Sequence, residues 1–522
     1  MQTFPRTGAI AVCAATALVL SACNNGGGDG AASTGDEPVE GGELVVASLP
    51  SVLDPAASTS RSNWMVAASV CEGLFANDSE SSVHDGLVEA WSYDEDALRY
   101  DLSLREGVLF HDGSTLAAAD VVASLERYRA SESGDLFDQL VDEISEEGEL
   151  EVSITVSQPT GAIPALLATP DTPAYIMPAA FLEGVGEEES LDDLVCTGPY
   201  TFESFTVDQE AVIGRFDDYV SRTEDPDGSA GAKTAYADTI RFIPFNASNA
   251  LNQVRTDAVH IAPQFVSLDQ LAVYEADPAL VPQVQESGGF SLIQFNHRDG
   301  LFTDLTMREA VLHAVDTEEI ATQNLGDLEY FTDSSSFFPE GSDWYSQEGQ
   351  EVYESRDPVV AEQLLEEAGY DGTPVRILYR PDQDSYGPVL RQQLEAVGFE
   401  VDLQGVDAAT FTATRTDPEV WDIFLAGGTS YSDPLTVVFL GDEFPGWWVT
   451  EEKTELMERI TAGATTEERK PAWDEMQAML WEELPFIKLG DEPRMAITST
   501  SVGGFEPSQG TVRGFYNVWV TD

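Results

Sequence analysis

Five histidines, His84, His111, His260, His297 and His313, stand far apart in 522 residues, without the close pairing that zinc or nickel centres use. No Gly-x-Ser-x-Gly elbow and no His-Glu-x-x-His helix is present, so neither a serine hydrolase nor a zinc protease has its machinery. These absences point away from catalysis, with an exported hydrolase as the rejected enzyme reading, and no protein-built metal site or cofactor is expected. The remaining chemistry is that of recognition. Trp447 and Trp448 are adjacent indoles behind Gly446 that could stack on a flat or cyclic ligand, or divide into one packed and one exposed ring. Trp473 and Trp481 share a helical stripe with Met476 and Leu480 and read as core.

The elements that position such groups begin with an export segment. Arg6 is the single charge before Asp29, and Gly8 to Leu20 is apolar and small, which fits a signal sequence too short to span a bilayer. It ends in Leu20-Ser21-Ala22-Cys23, which resembles the lipobox of bacterial lipoproteins and implies cleavage, acylation of Cys23 and anchoring by lipid outside the cytoplasmic membrane. Residues 1–22 are thus read as signal peptide and 23–42, Gly-rich with Ala, Ser, Asp, Asn and Glu and without aromatics, as a flexible tether of roughly 25 Å root-mean-square reach. With Cys13 removed and Cys23 acylated, Cys71 and Cys196 remain. Export permits a disulfide between them, which is the expectation, with two buried free thiols as the alternative.

The 94 acidic against 25 basic residues give a net charge of −69, spread along the chain. That field repels phosphate backbones and excludes nucleic-acid binding. With 42% hydrophobic residues the chain can bury several cores, so two or three domains are expected. Leu98, Tyr100, Leu102 and Leu104 alternate with polar residues as in a half-buried strand, and Leu116 to Tyr128 follows with helical spacing. Glu43–Ala47, Ser291–Phe295 and Val375–Tyr379 read as strands. Asp357-Pro358 caps and opens a helix that Gly369 stops. Thr306 with Glu309, and Asp316 with Glu319, have capping-box spacing. Strands and helices alternate, so the fold class is α/β, and no fixed repeat period is seen.

Several segments resemble bacterial extracellular solute-binding proteins of family 5, the peptide and nickel binders of ABC importers. They are Leu104-Arg105-Glu106-Gly107-Val108-Leu109-Phe110-His111-Asp112-Gly113 with Ala119-Asp120-Val121-Val122, Thr197-Gly198-Pro199-Tyr200 and Phe216-Asp217-Asp218-Tyr219. Phe295-Asn296, Asp304, Met307-Arg308-Glu309-Ala310 and Ala314-Val315-Asp316 follow, then Ala361, Leu364-Leu365, Ala368-Gly369-Tyr370 and Leu484-Pro485-Phe486. The resemblance implies a two-lobed periplasmic-binding-protein type II fold with a subdomain inserted in the first lobe. The expected first lobe is 43–80, 191–288 and 486–522, the insertion 81–190 and the second lobe 289–485. Such a protein captures a small solute, a peptide or peptide-like one foremost, by hinge closure and delivers it to ABC permease subunits; it works as a monomer. A sensing receptor or peptide-holding chaperone on the same fold is the alternative.

Most motif residues are read as structural, with Gly107 and Gly113 in turns and Arg105 partnering a buried carboxylate or carbonyl. Ligand contacts are expected from strand ends and crossover loops. The candidates are Asn63, Trp64, Asn296, His297, Thr429, Ser430, Tyr431, Asp433, Trp447 and Trp448. In the family's peptide binders a Trp and an acid stand seven and four positions before a proline, the acid anchoring the ligand's ammonium. Counting back from Pro434 gives Gly427 and Ser430 instead. A hydroxyl cannot replace that charge, so the expected ligand lacks a free α-amino terminus or is held another way, with Asp433 as a substitute acid.

Overall fold

The computed structural model describes residues 37–521 apart from 58–59, 170–173, 186–189, 266–267, 269, 327, 382, 429–430 and 508–512. The signal peptide, Cys23, the tether up to residue 36, Thr429 and Ser430 therefore lie outside the described residues.

A mixed sheet of ten strands runs through the body, in the order Val401–Gly405, Val375–Tyr379, Ile423–Gly428, Leu280–Phe295, Phe486–Ser499, Ile261–Phe265, Glu43–Val46, Thr239–Phe242, Glu210–Arg215 and Tyr200–Thr206. Two of these strands are unusually long, Leu280–Phe295 with 16 residues and Phe486–Ser499 with 14. Antiparallel to each other, they join the sheet's two halves. One half packs around Leu44, Val46, Val66, Ile213, Ile240 and Phe242. The other packs around Ile293, Phe295, Val311, Ile377, Leu390 and Ile423, with Trp421 and Trp473 in a neighbouring cluster. A separate antiparallel sheet, ordered Val88–Asp94, Arg99–Leu104, Glu151–Val156 and Val141–Glu146, forms a third core with Phe110, Val121, Leu125 and Leu167. The architecture is mixed α/β, one large sheet shared by two halves with a smaller antiparallel sheet beside it.

The elements follow their local chemistry with small differences. Asp357 accepts from the amide of Val359 at 2.9 Å and starts helix Pro358–Glu367, and Gly369 takes φ +68° beyond its end. Helix Leu305–Ala314 starts before Thr306, because the Asp304 carboxylate accepts from the Thr306 amide at 3.0 Å. An anionic cap also complements the helix dipole, which a threonine hydroxyl does not. At helix Thr317–Leu325 only half of the expected box forms: Asp316 accepts from the Glu319 amide, but the Glu319 carboxylate accepts from Gln393 instead of reaching back.

The long pair is interrupted halfway. Gln285 pairs with Arg494 and Gly289 with Glu492, so residues 286–288 stand against Pro493 alone. Proline has no amide to donate, and Gly288-Gly289 tolerates the bend that restores pairing. A second shift falls between Phe290 and Leu292, where Gly490 on the opposite strand has φ +104°.

Candidate functional site

The family-like motif residues meet in one buried brace. Cys71 and Cys196 form a disulfide with Cα atoms 4.9 Å apart. Next to it the Glu72 carboxylate accepts from Thr197 Oγ1 at 3.1 Å, Tyr219 OH at 2.9 Å and Lys233 Nζ at 3.3 Å. His111 Nδ1 accepts from the Cys196 amide at 3.2 Å, which leaves Nε2 to donate to the Gly198 carbonyl at 3.0 Å. Burial lowers the His111 pKa, in keeping with this neutral tautomer. Gly198 donates to the Val70 carbonyl at 2.9 Å, and a Cβ there would lie 2.5 Å from that oxygen. Arg105 Nη2 donates to the Val220 carbonyl at 2.8 Å. These residues hold the segment carrying the antiparallel sheet to the first half of the large sheet.

The break in the long strands lies where they pass from one half of the sheet to the other. Arg494 Nε donates to the Gly288 carbonyl at 2.7 Å, and a Cβ at Gly288 would meet the arginine stem at 2.4 Å. The strand Ile423–Gly428 ends at the same place, since a Cβ on Gly289 would lie 2.5 Å from the Gly428 carbonyl oxygen. Beyond it Tyr431, half-buried, has its ring 6.2 Å from that of Phe290. A pocket opens beside the break, lined by Arg61, Gln285, Arg494 and Arg513 among others.

The part of the chain that carries the antiparallel sheet and the second half also touch directly. Gly161 donates its amide to the Gly463 carbonyl at 2.7 Å, and the hydroxyls of Thr169 and Ser432 are 3.1 Å apart. Leu435 packs against the cores of both. These contacts join the core of the antiparallel sheet to the second half.

The residues singled out by sequence do not converge there as a group. Asn63 is buried and its Oδ1 accepts from the Ser51 amide at 2.8 Å, fastening a loop to helix Arg61–Val70. Trp64 packs half-buried on the first core. Asn296 Nδ2 donates to the carbonyls of Pro418 and Trp421, and its Oδ1 accepts from the amides of Arg298 and Asp299, so the whole side chain serves a loop of the second half. His297 contacts the Pro485 carbonyl through Nε2 at 3.2 Å, and burial followed by the nearby Arg308 charge brings its pKa down to about 4. Asp433 is fully buried and bound by Arg469.

Both adjacent indoles are buried, so the division into one packed and one exposed ring is not found. Trp447 stacks on Trp421 with centroids 5.7 Å apart beneath the Arg298 guanidinium, and Trp448 Nε1 donates to Glu483 at 2.6 Å. Trp473 and Trp481 are core residues, at 0% and 1% exposure. Sequence reasoning missed Gln285, Arg494, Arg513 and Arg61, which stand apart in the chain and share no motif. The one sequence signal of the three arginines is scarcity, basic residues being few in so acidic a chain.

Among the described residues no helix is long and apolar enough to cross a membrane. The family profile described as bacterial extracellular solute-binding proteins, family 5 Middle, matches residues 82–441. A probable peptide ABC transporter periplasmic-binding protein of Sinorhizobium fredii is 28% identical over 88% of this chain and 90% of its own length. A glutathione-binding protein of Escherichia coli is 25% identical over 96% of each chain. The crystal structure of the ABC transporter substrate-binding protein CtaP of Listeria monocytogenes superposes with a TM-score of 0.80 and 21% identity, over 92% of this chain and 100% of that one.

Proposed function

The chain belongs to the bacterial extracellular solute-binding proteins of family 5, substrate-binding components of ABC transporters and not enzymes, and from that premise we propose that it captures a small peptide-like solute by closing one lobe on the other. The first lobe is 43–80, 191–288 and 486–522, with the insertion at 81–190, and the second is 289–485. The observation that carries the reading is the break at Gly288-Gly289 against Pro493, placed between two separately cored halves. Such a joint bends with little loss of packing, and a solute that touches both lobes shifts the population toward the closed form. The Gly161–Gly463 contact belongs to that closed form. The relatives named for peptide and glutathione binding support a peptide-like solute.

The ligand is held near the ends of the crossings, with Tyr431 and Trp64 as the retained candidates there; Thr429 and Ser430 stay candidates on sequence alone. Asn63, Asn296, His297, Asp433, Trp447 and Trp448 act on the loops around them. Acylated Cys23 tethers the monomeric protein outside the membrane, and the closed form docks on permease subunits. Calorimetry against di- and tripeptides and glutathione, followed by small-angle scattering, tests this. A binder at 100 times its dissociation constant is expected to stabilise the fold by about 2.7 kcal/mol and to shrink the molecule. A scattering profile unchanged by every bound solute would refute closure.

A further inference from the structure

One side chain lies along the break in the long strands. Arg494 stands on the first-half side of it: Arg494 pairs with Gln285, and its neighbour Met495 pairs with Val284 and with Phe265. From there the stem runs back across Gly288 and Gly289. A Cβ at Gly288 would lie 2.4 Å from Cγ and 2.9 Å from Cδ of Arg494, and a Cβ at Gly289 would lie 3.1 Å from Nη2. Gly289 belongs to the second-half side, where it pairs with Glu492 and where its Cβ would also lie 2.5 Å from the Gly428 carbonyl oxygen. The side chain therefore starts on one side of the break and ends on the other.

Neither glycine has a positive φ. The backbone would accept other residues there, so what demands glycine is room: the two make a groove that the arginine fills. The facing strand adds little at this point, because residues 286–288 stand against Pro493, which has no amide to donate. Arg494 supplies a donor instead, its Nε giving a 2.7 Å hydrogen bond to the Gly288 carbonyl. A charged donor makes the stronger kind of hydrogen bond. The same form has Gly161 donating to Gly463 and the hydroxyls of Thr169 and Ser432 3.1 Å apart, so the arginine is seated in its groove while the two halves touch.

We propose that Arg494 is a positioning residue for solute capture, a strap across Gly288-Gly289 that holds the crossing strands at the bend in which the two halves meet. The inference rests on capture by lobe closure and names the side chain that sets the angle. It acts through the two glycines and needs no contact with the solute. With the strap seated, the joined form is well populated before any solute arrives. Without it the crossings bend more freely, and the apparent affinity falls with the fraction of molecules in the joined form.

The test compares Arg494→Met, Arg494→Gln and Gly288→Ala with the unchanged full chain, by small-angle scattering and by calorimetry with trialanine and glutathione. Methionine keeps the stem and loses the donor, whereas glutamine places an amide nitrogen at the chain position of Nε. Arg494→Met and Gly288→Ala are expected to enlarge the radius of gyration without solute, to match the unchanged protein's profile at saturation, and to bind about threefold to tenfold more weakly. Arg494→Gln should behave as the unchanged protein does. Equal solute-free radii overturn the strap, and so does a Gln variant that opens as far as the Met variant, which would assign the effect to charge. Profiles that stay apart at saturation also overturn it, since they show altered packing in place of a shifted population. If no solute shrinks the unchanged protein, closure fails as a reading. The solute-free radii then still judge the strap: expansion in the Met and Gly288→Ala variants alone supports it, and equal radii overturn it.

Discussion

Arg469 donates from both terminal nitrogens to both carboxylate oxygens of Asp433, each at 2.7 Å, with neither side chain more than 2% exposed. Asp433 also accepts from the Leu435 amide at 2.9 Å. The acid that sequence offered as a substitute ammonium anchor is thus already neutralised, by a fork that shapes the loop after strand Ile423–Gly428. Removing one partner leaves an uncompensated buried charge, so Arg469→Met is expected to destabilise the fold by roughly 3 to 5 kcal/mol in urea titrations. Asp433→Asn should lose a similar amount and keep its affinity for any solute it binds. Unchanged stability with abolished binding would instead make Asp433 an anchor.

Closure should be sensitive to one added methyl group. A Cβ at Gly161 would lie 2.3 Å from the carbonyl oxygen of Ala464 and 2.6 Å from its carbon, both backbone atoms that cannot swing away. Gly161→Ala therefore pushes the insertion off the second lobe and removes the hydrogen bond to Gly463. Solute binding is expected to weaken about fivefold to tenfold, and the radius of gyration with saturating solute to exceed that of the unchanged protein. Equal radii and equal affinity would show that this contact takes no part in closure.

The Cys71–Cys196 bridge closes a sequence separation of 125 residues around the Glu72 brace. In the chain-entropy treatment such a loop contributes about 5 kcal/mol. Thiol titration of the denatured, unreduced mature domain is expected to find neither cysteine free. Cys71→Ala with Cys196→Ala should lower the urea midpoint by several kcal/mol equivalent and loosen the insertion first, visible as early proteolysis within 81–190. Two reactive thiols would remove the bridge.

Much of this arrangement is legible in the chain. Strand Val375–Tyr379 and helix Pro358–Glu367 follow from alternation and from Asp357-Pro358, because local chemistry alone decides them. Trp447 and Trp448 show the opposite case. Adjacency in sequence says nothing about which rings already have partners, and Trp421 and Glu483, which claim them, lie 26 and 35 residues away. The arginine pocket was illegible for the same reason: its parts come together only through the register of the two long strands and the packing of the C-terminal segment. Asn296 had the right place, a strand end, but its amide is consumed by turning the chain back toward Pro418.

His297 sets a pH dependence whose direction follows from its surroundings. Burial, and then the positive charge of Arg308, bring its pKa from the ordinary 6.5 down to about 4. Between those values the unfolded chain binds the proton and the native one does not, so stability rises with pH, is complete above about 6.5 and is lost as pH falls toward 4. The full span is roughly 3 kcal/mol. His111 and His260, also lowered by burial, act in the same direction, whereas Asp491 and Glu492, raised by burial, act in the opposite one. All four are shared by the variant His297→Gln, whose amide can still donate toward the Pro485 carbonyl. Urea midpoints of the two proteins from pH 7 to pH 4.5 should therefore diverge, the unchanged protein losing more stability on acidification. Parallel profiles would show that the imidazole is not held neutral in the native fold.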